Sequence, residues 1–154
     1  MRILWLTILW VGMCSAALGQ DKEQHTPHLM VADDIQIDLK DIYLNAKGDT
    51  ATVELFLISL QKNPREFKMN SFASGVIDSK GTPYLYSTME MGKVRLDIAD
   101  RQNYLHYLME QDLPVLLRIK TAGWSKQWGK PQHAKLTFED SSEEGKFLQI
   151  ELNF

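Results

Sequence analysis

Apolar and polar side chains alternate with a period of two residues along much of this chain. Ile35, Ile37 and Leu39 are separated by polar residues, and residues 147–154 continue the pattern with apolar side chains at every even position. A strand with one buried face and one wet face requires this period, whereas a helix buried on one side repeats every 3.6 residues. The alternation therefore restricts the fold to β-sheets that bury one face each.

Strands of this kind follow one another at intervals of about 8–12 residues, with turn residues between them. The stretch 50–60 is apolar on both faces, which predicts a strand at the centre of its sheet. A shift of the alternation predicts a bulge at Lys40–Asp41, and a shorter strand is predicted at 72–77. Residues 99–111 suit a helix or a strand, and we favour a strand or an irregular edge. The whole pattern predicts an all-β fold, an antiparallel β-sandwich of about seven to nine strands.

The residues 1–19 have the layout of a secretory signal peptide. Met1 and Arg2 are followed by an apolar run over residues 3–11, and small residues over 15–19 precede a polar segment. This order of charge, apolar run and small residues predicts export, with cleavage after Gly19. An uncleaved membrane anchor is the alternative, but a spanning helix needs about 20 apolar residues, roughly twice the length of this run.

Cys14 offers an alternative processing site for the signal peptide. A bacterial lipoprotein signal places a cysteine after a small residue, and that cysteine then carries the lipid. Bulky Met13 precedes Cys14 here, which departs from that pattern. We therefore expect a periplasmic or secreted protein that is anchored to a membrane only if Cys14 is lipidated. Cys14 is also the only cysteine, so the exported domain has no disulfide, which favours a bacterial envelope protein.

The rest of the chain is predicted to contain one domain. Residues 20–33 are polar and include Pro27, which indicates a flexible leader segment. Residues 34–154 are long enough to bury one hydrophobic core. The chain has a formal net charge of −3. This mild acidity argues against a nucleic-acid partner, because binding to phosphates requires a basic face.

The segment Val76–Tyr84 carries an Asp-x-x-Gly-x-x-Tyr pattern after two apolar residues. Together with the long apolar strand before it and the Leu-Pro-Val sequence at Leu113, it resembles a segment of uncharacterised immunoglobulin-like domains in exported bacterial proteins. The resemblance extends over residues 35–154. It implies an immunoglobulin-like sandwich with a binding or structural role, and it implies no catalytic residues.

Trp124 and Trp128 are the candidate binding residues of this sequence. Both lie in the polar loop 123–132, where two large indoles are costly to expose. Flat aromatic faces suit stacking on sugar rings or on the apolar anchor of a protein partner. The alternative is that both indoles fold back and cover the open end of the sandwich. We favour this covering role for the indoles themselves, and we keep Trp124 and Trp128 as the candidate contact with an unknown protein or glycan partner.

No residue pattern in the sequence indicates a metal site, a cofactor or a catalytic group. His25 and His28 have a ligand-like spacing, but they lie in the polar leader segment and lack further rigid ligands. The acidic turn 139–145 is typical of a solvated hairpin tip. His106 and His133 are single histidines in apolar strands, and neither a Gly-x-Ser-x-Gly motif nor a mature cysteine is present.

These observations favour an exported, non-enzymatic domain that binds a protein, an envelope component or an extracellular ligand. Two alternatives stay open. A small outer-membrane β-barrel would fit a chain that ends in Phe154 on an alternating strand, but residues 52–60 are apolar on both faces. A secreted enzyme with a site built on loops would show convergent carboxylates with perturbed pKa values in a pocket.

Overall fold

The structure is a computed structural model that describes residues 28–154. Its secondary structure consists of strands and two short 3₁₀ turns, Ile98–Asp100 and Lys126–Trp128. Within this range no helix has the length and apolarity needed to cross a membrane. The predicted signal peptide with Cys14, and the candidate ligand His25, lie outside the described residues.

Twelve strands make up the described part of the chain. In chain order they are β1 (His28–Ala32), β2 (Ile35–Leu44), β3 (Thr50–Ser59), β4 (Arg65–Asn70), β5 (Gly75–Ile77), β6 (Pro83–Tyr84), β7 (Thr88–Met91), β8 (Val94–Asp97), β9 (Tyr104–Met109), β10 (Val115–Ala122), β11 (His133–Glu139) and β12 (Phe147–Asn153). They form two antiparallel sheets of six strands each. The predicted all-β sandwich is thus confirmed.

The first sheet has the order β1-β2-β3-β10-β7-β8. In the second sheet β11 pairs with β12 along its whole length on one side. On its other side β11 pairs with β5 at residues 133–135 and with β4 only at Phe138, and the outer strands β6 and β9 complete the sheet. β8 lies beside β9 and β1 beside β12, so the two sheets also meet at their edges.

The core lies between the sheets and contains the side chains that the alternation places on the inner faces. β3 is central in the first sheet, as the sequence predicts, and its Val53, Leu55 and Leu57 are fully buried. Phe67 of β4 packs on Phe138 of β11 with ring centroids 5.4 Å apart. Each large apolar side chain that is fully buried contributes about 1.5–3 kcal/mol by removing its surface from water.

Residues 28–32 correct the predicted domain boundary, because they form β1 and pair with β2 instead of belonging to a flexible leader. The connecting residues Asp33 and Asp34 have positive φ values of 48° and 55°, as the tightest turns between adjacent antiparallel strands require. The Arg65 guanidinium donates to Asp33 Oδ2 over 2.8 Å and ties this turn to the second sheet. The folded domain therefore begins earlier than residue 34.

Other strand predictions are confirmed or corrected by the pairing. The register shifts between Leu39 and Asp41, which confirms the bulge. The ambiguous stretch 99–111 contains β9, which confirms the preference for a strand. The prediction of one strand over 72–77 is wrong for its first half, because only residues 75–77 form β5. The short strands β1, β6 and β7 raise the total above the predicted seven to nine.

A row of alternating charges crosses the outer face of the first sheet. Glu54 of β3, Arg118 of β10, Glu90 of β7 and Arg95 of β8 are direct cross-strand neighbours. Arg118 donates to Glu54 over 2.6 Å and to Glu90 over 2.8 Å, and Arg95 donates to Glu90 over 3.0 Å. Lys40, at the bulge of β2, donates to Glu54 over 2.8 Å. This charge row links five strands through their side chains as well as their backbones.

Glu54 is the most enclosed member of the charge row, with a side chain only 6% exposed. Burial opposes its ionisation, but the bonds donated by Lys40 and Arg118 outweigh that effect and hold its pKa below the ordinary 4.5. The bond from Arg118 is also the main reason why the pKa of Glu90 is lowered. Both carboxylates raise the pKa of Arg118 in return. Glu54 and Glu90 are therefore both ionised at neutral pH.

We expect Glu54→Gln to lower the free energy of unfolding by about 2 kcal/mol at pH 7, because it removes the negative charge and one of the two oxygens that accept from Lys40 and Arg118. Since the folded pKa of Glu54 is lowered, its contribution is complete above pH 4.5 and is lost as the pH falls through the folded pKa. Urea unfolding at a series of pH values should therefore show wild type and variant converging in acid. Glu151→Gln, at an exposed position of β12, is the matched control, and equal stability of both variants at pH 7 would contradict the expectation.

Candidate functional site

The loop between β10 and β11 folds back onto the end of the sandwich. Its 3₁₀ turn Lys126–Trp128 is closed by the N–H of Trp128, which donates to the Ser125 carbonyl over 2.9 Å. Trp124 is only 3% exposed and belongs to the hydrophobic core. Its indole N–H donates to the carbonyl of Gly129 over 2.8 Å, so the polar edge of the buried ring is satisfied within the loop itself.

Three aromatic rings meet at this end of the molecule. The ring centroid of Tyr84 lies 5.4 Å from that of Trp124 and 5.0 Å from that of Trp128. The two indoles lie 5.4 Å apart and nearly perpendicular, an edge-to-face arrangement that aromatic pairs favour. Tyr84, Trp124 and Trp128 are called the aromatic cluster below. Tyr84 is the last residue of the edge strand β6, so the cluster joins the loop to the edge of the second sheet.

The structure separates the two candidate binding residues. Trp124 cannot offer a ring face to a ligand, because it is buried on all sides, and this corrects the prediction of a direct contact by that residue. Trp124 instead folds back and covers the end of the sandwich, which is the alternative named in the sequence analysis. Trp128 is only half-buried and keeps part of its surface in solvent. A contact by Trp128 stays a prediction.

The Asp-x-x-Gly-x-x-Tyr pattern is explained by the turn between β5 and β6. Asp78 Oδ1 accepts the N–H groups of Lys80 and Thr82, each over 2.8 Å, and the Tyr84 hydroxyl donates to Oδ2 over 3.3 Å. Burial opposes the charge of Asp78, but these bonds outweigh it and keep the pKa of Asp78 below its ordinary value. Gly81 supplies the positive φ of 83°. The pattern thus positions Tyr84 in the aromatic cluster.

Gly75 allows the chain after β6 to pass close to β5. A β-carbon at this position would overlap the backbone carbonyl oxygen of Tyr84. That neighbour is backbone and cannot rotate away as a side chain could. Glycine is therefore required here for a close approach between two segments of main chain.

A groove of about 240 Å³ adjoins the aromatic cluster. It runs between the turn that precedes β5 and the segment that contains β6. The lining is mainly apolar and includes Phe72, Gly75, Ile77, Pro83, Leu85 and Lys135. Phe72 is 39% exposed and Leu85 is 52% exposed, and the two lie beside the same groove, so they form a shared apolar surface. We call this feature the edge groove.

The edge groove lies beside an interruption in the second sheet. Between β4 and β5, residues 71–74 leave the plane of the sheet, and side chains replace the missing backbone pairing to β11. The N–H of Thr137 donates to Ser74 Oγ over 2.9 Å, and the Thr137 hydroxyl donates to the Ala73 carbonyl over 3.1 Å. This detour places Phe72 at the groove, where the sequence analysis expected a regular strand.

The remaining candidate residues have structural partners. His106 Nδ1 lies 2.6 Å from Glu66, and His133 Nδ1 lies 2.7 Å from Asn153, both on neighbouring strands. In the acidic turn, Asp140 accepts bonds from Ser142. Across residues 28–154 no group of three or more His, Cys, Asp or Glu side chains is arranged to hold a metal ion. The side chain of His28 lies outside the description, although its backbone belongs to β1.

A second cavity, of about 260 Å³, is polar and lies between β4 and the acidic turn. Glu139 and Asp140 line it, and the pKa of each is lowered. Bonds from the Gly145 N–H and from Lys68 lower the pKa of Glu139. Bonds from Ser142 and the charge of Lys146 lower the pKa of Asp140. Acid–base catalysis by a carboxyl pair needs one member with a raised pKa. Glu139 and Asp140 are therefore both held in the charged form, and neither of them has the raised pKa of a general acid.

Sequence reasoning missed three residues of the edge groove, namely Phe72, Leu85 and Lys135. In the sequence each of these residues looks like part of a regular strand. Alternation alone does not reveal where a strand leaves its sheet, so the groove gave no separate pattern. The Pro83 and Gly75 positions were the available hints, since proline marks edge strands and an isolated glycine in a strand marks a close backbone approach.

Comparison with known proteins assigns neither a family nor a function to this chain. No family model, no curated protein and no solved structure matches the chain. The resemblance to immunoglobulin-like domains of exported bacterial proteins therefore stays a prediction. The assignment of a function depends on the groove, the aromatic cluster and the charges described above.

We expect Trp124→Ala to lower the free energy of unfolding by about 3 kcal/mol, because it leaves a large cavity in the core. Trp128→Ala should cost only about 1 kcal/mol, since its ring is half in solvent already. Urea unfolding of both variants measures the difference. Equal losses, or a larger loss for Trp128→Ala, would contradict the separate roles of the two indoles.

Proposed function

We propose that this chain is an exported, non-enzymatic domain that binds another protein through the edge groove and the exposed side of Trp128. The single observation that carries the proposal is the exposure of Phe72 and Leu85 on the two sides of one apolar groove. Exposed apolar surface of this kind costs solubility and is typical of interaction sites. The resemblance to immunoglobulin-like domains of exported bacterial proteins supports the same class of function.

The distribution of apolar surface supports this choice of site. Six large apolar side chains are markedly exposed in the described residues, and they are Val31, Leu60, Phe72, Leu85, Leu108 and Leu113. Only Phe72 and Leu85 among them line a cavity described above. Their groove also ends against a rigid aromatic cluster, and aromatic residues are enriched at the energetic centres of protein interfaces.

The charges in the second cavity favour binding over catalysis. Glu139 and Asp140 both have lowered pKa values, so neither is held protonated as a general acid at neutral pH. The edge groove, in turn, has Lys135 as its one ionisable side chain besides the Tyr84 phenol. An apolar groove with a single cation supports binding, which is why we propose the binding domain in place of an enzyme with a loop-built site.

Export is the second part of the proposal, and it depends on the leader. The charged start, the apolar run over 3–11 and the small residues before Gln20 together support secretion or a periplasmic location. A lipid on Cys14 is the alternative within the same proposal, and it would place the binding domain at a membrane surface. In both cases the partner is a protein of the envelope or of the extracellular space.

A position-specific crosslinking experiment tests the binding function. A photoreactive benzoylphenylalanine replaces Leu85 in one protein and Leu108 in a matched protein, and each is exposed to envelope extract, illuminated and analysed by mass spectrometry. Leu108 is suited as the control because it is 64% exposed on β9 and does not line the groove. We expect one identified partner to crosslink through position 85 and not through position 108.

The variant Phe72→Ser then links the crosslink to the groove. Loss of an aromatic anchor at an interface centre costs about 2 kcal/mol of binding free energy, or roughly a 30-fold weaker complex. The position-85 crosslink should therefore be lost in Phe72→Ser and retained in Leu113→Ser, while both proteins keep their folded circular dichroism spectra. Identical crosslinking from positions 85 and 108 would contradict the proposed function.

A further inference from the structure

We propose that the edge groove recognises the last residue of a partner chain, with the apolar side chain of that residue in the groove and its terminal carboxylate on Lys135. This inference rests on the proposed binding function and names the chemical class of the partner. Three observations carry it, which are the size of the groove, the single free charge at its wall, and the short edge strand beside it.

The size of the groove fits one large side chain. A cavity of about 150 Å³ is enough to hold a benzene ring, and pockets for complete small-molecule ligands run from roughly 300 to 1,000 Å³. At about 240 Å³, the edge groove lies between these limits. It therefore suits a single phenylalanine or leucine side chain with part of its backbone, and it is small for a sugar chain or a metabolite.

Lys135 is the one charged residue that lines the edge groove. Its direct cross-strand neighbours are Gly75 of β5 on one side and Glu151 of β12 on the other. Glu151 forms no ion pair with it, and Lys135 has no ion-pair partner within the described residues. A half-buried lysine at the wall of an apolar groove can offer its ammonium group to an anion that is joined to an apolar group. A carboxylate at the end of a chain has this composition within one residue.

The edge strand beside the groove favours a chain end over the middle of a strand. β6 lies at the edge of the second sheet, but it is only two residues long and begins with Pro83. Proline has no backbone N–H to donate, so this edge offers too few groups to pair with a long added strand. Recognition must then depend on one anchored side chain and one charge. Capture of terminal carboxylates is a known mode of peptide recognition.

A nuclear magnetic resonance titration of the ¹⁵N-labelled protein tests the inference. The probes are the tripeptide acetyl-Ala-Val-Phe with a free carboxylate, the same tripeptide with a C-terminal amide, and decanoate. We expect the carboxylate peptide to shift the amide signals of Gly75, Leu85 and Lys135. Its affinity should exceed that of the amide peptide about fivefold, as for a partly exposed ion pair.

Lys135→Met should remove the difference between the two peptides and leave the weaker affinity of the amide form. The matched control Lys93→Met, at an exposed turn of the first sheet, should keep the difference. Equal affinities of both peptides at the groove would overturn the role of the carboxylate, although they would leave the groove as a binding site. Lys135-dependent binding of decanoate alone would overturn the peptide assignment. No shift at the groove with any probe would overturn the inference, and crosslinking through position 85 would then still report separately on the proposed function.

Discussion

The close approach of the Tyr84 carbonyl to Gly75 is the constraint on which the candidate site depends. Since a β-carbon at position 75 would overlap that oxygen, only glycine lets the chain after β6 lie against β5. The approach brings Tyr84 into contact with both indoles and leaves Pro83 and Leu85 as one wall of the edge groove. The aromatic cluster and the groove therefore both depend on this backbone contact, together with the Asp78 turn that positions Tyr84.

The charge row and the proposed binding site have separate locations in this sandwich. The first sheet has continuous pairing from β1 to β8, a central β3 with a fully buried inner face, and a row of alternating charges centred on Glu54 and Arg118. The edge groove lies in the second sheet, where β4 and β5 share the same side of β11 and the chain between them leaves the sheet. Binding residues on irregular segments that a rigid scaffold positions are a common arrangement.

The sequence predicted the sandwich because inner-face alternation is a property of each strand alone. The central position of β3 and the bulge near Lys40 followed from the same local rules. The edge groove could not be predicted, because it depends on which strands share β11 and on a detour at Phe72, both of which are long-range features. For the same reason the sequence could not distinguish buried Trp124 from half-buried Trp128. Their neighbour Tyr84 comes from a distant turn.

The stability of Gly75→Ala, compared with that of Gly145→Ala, tests the central claim most directly. Gly145 has a positive φ of 80° and open space around it, so its substitution should cost only about 1 kcal/mol of unfolding free energy. Gly75→Ala must displace the Tyr84 backbone, so we predict a loss of about 2–3 kcal/mol together with a changed near-ultraviolet circular dichroism signal from the aromatic cluster. A Gly75→Ala protein with the stability and the aromatic signal of wild type would contradict the account.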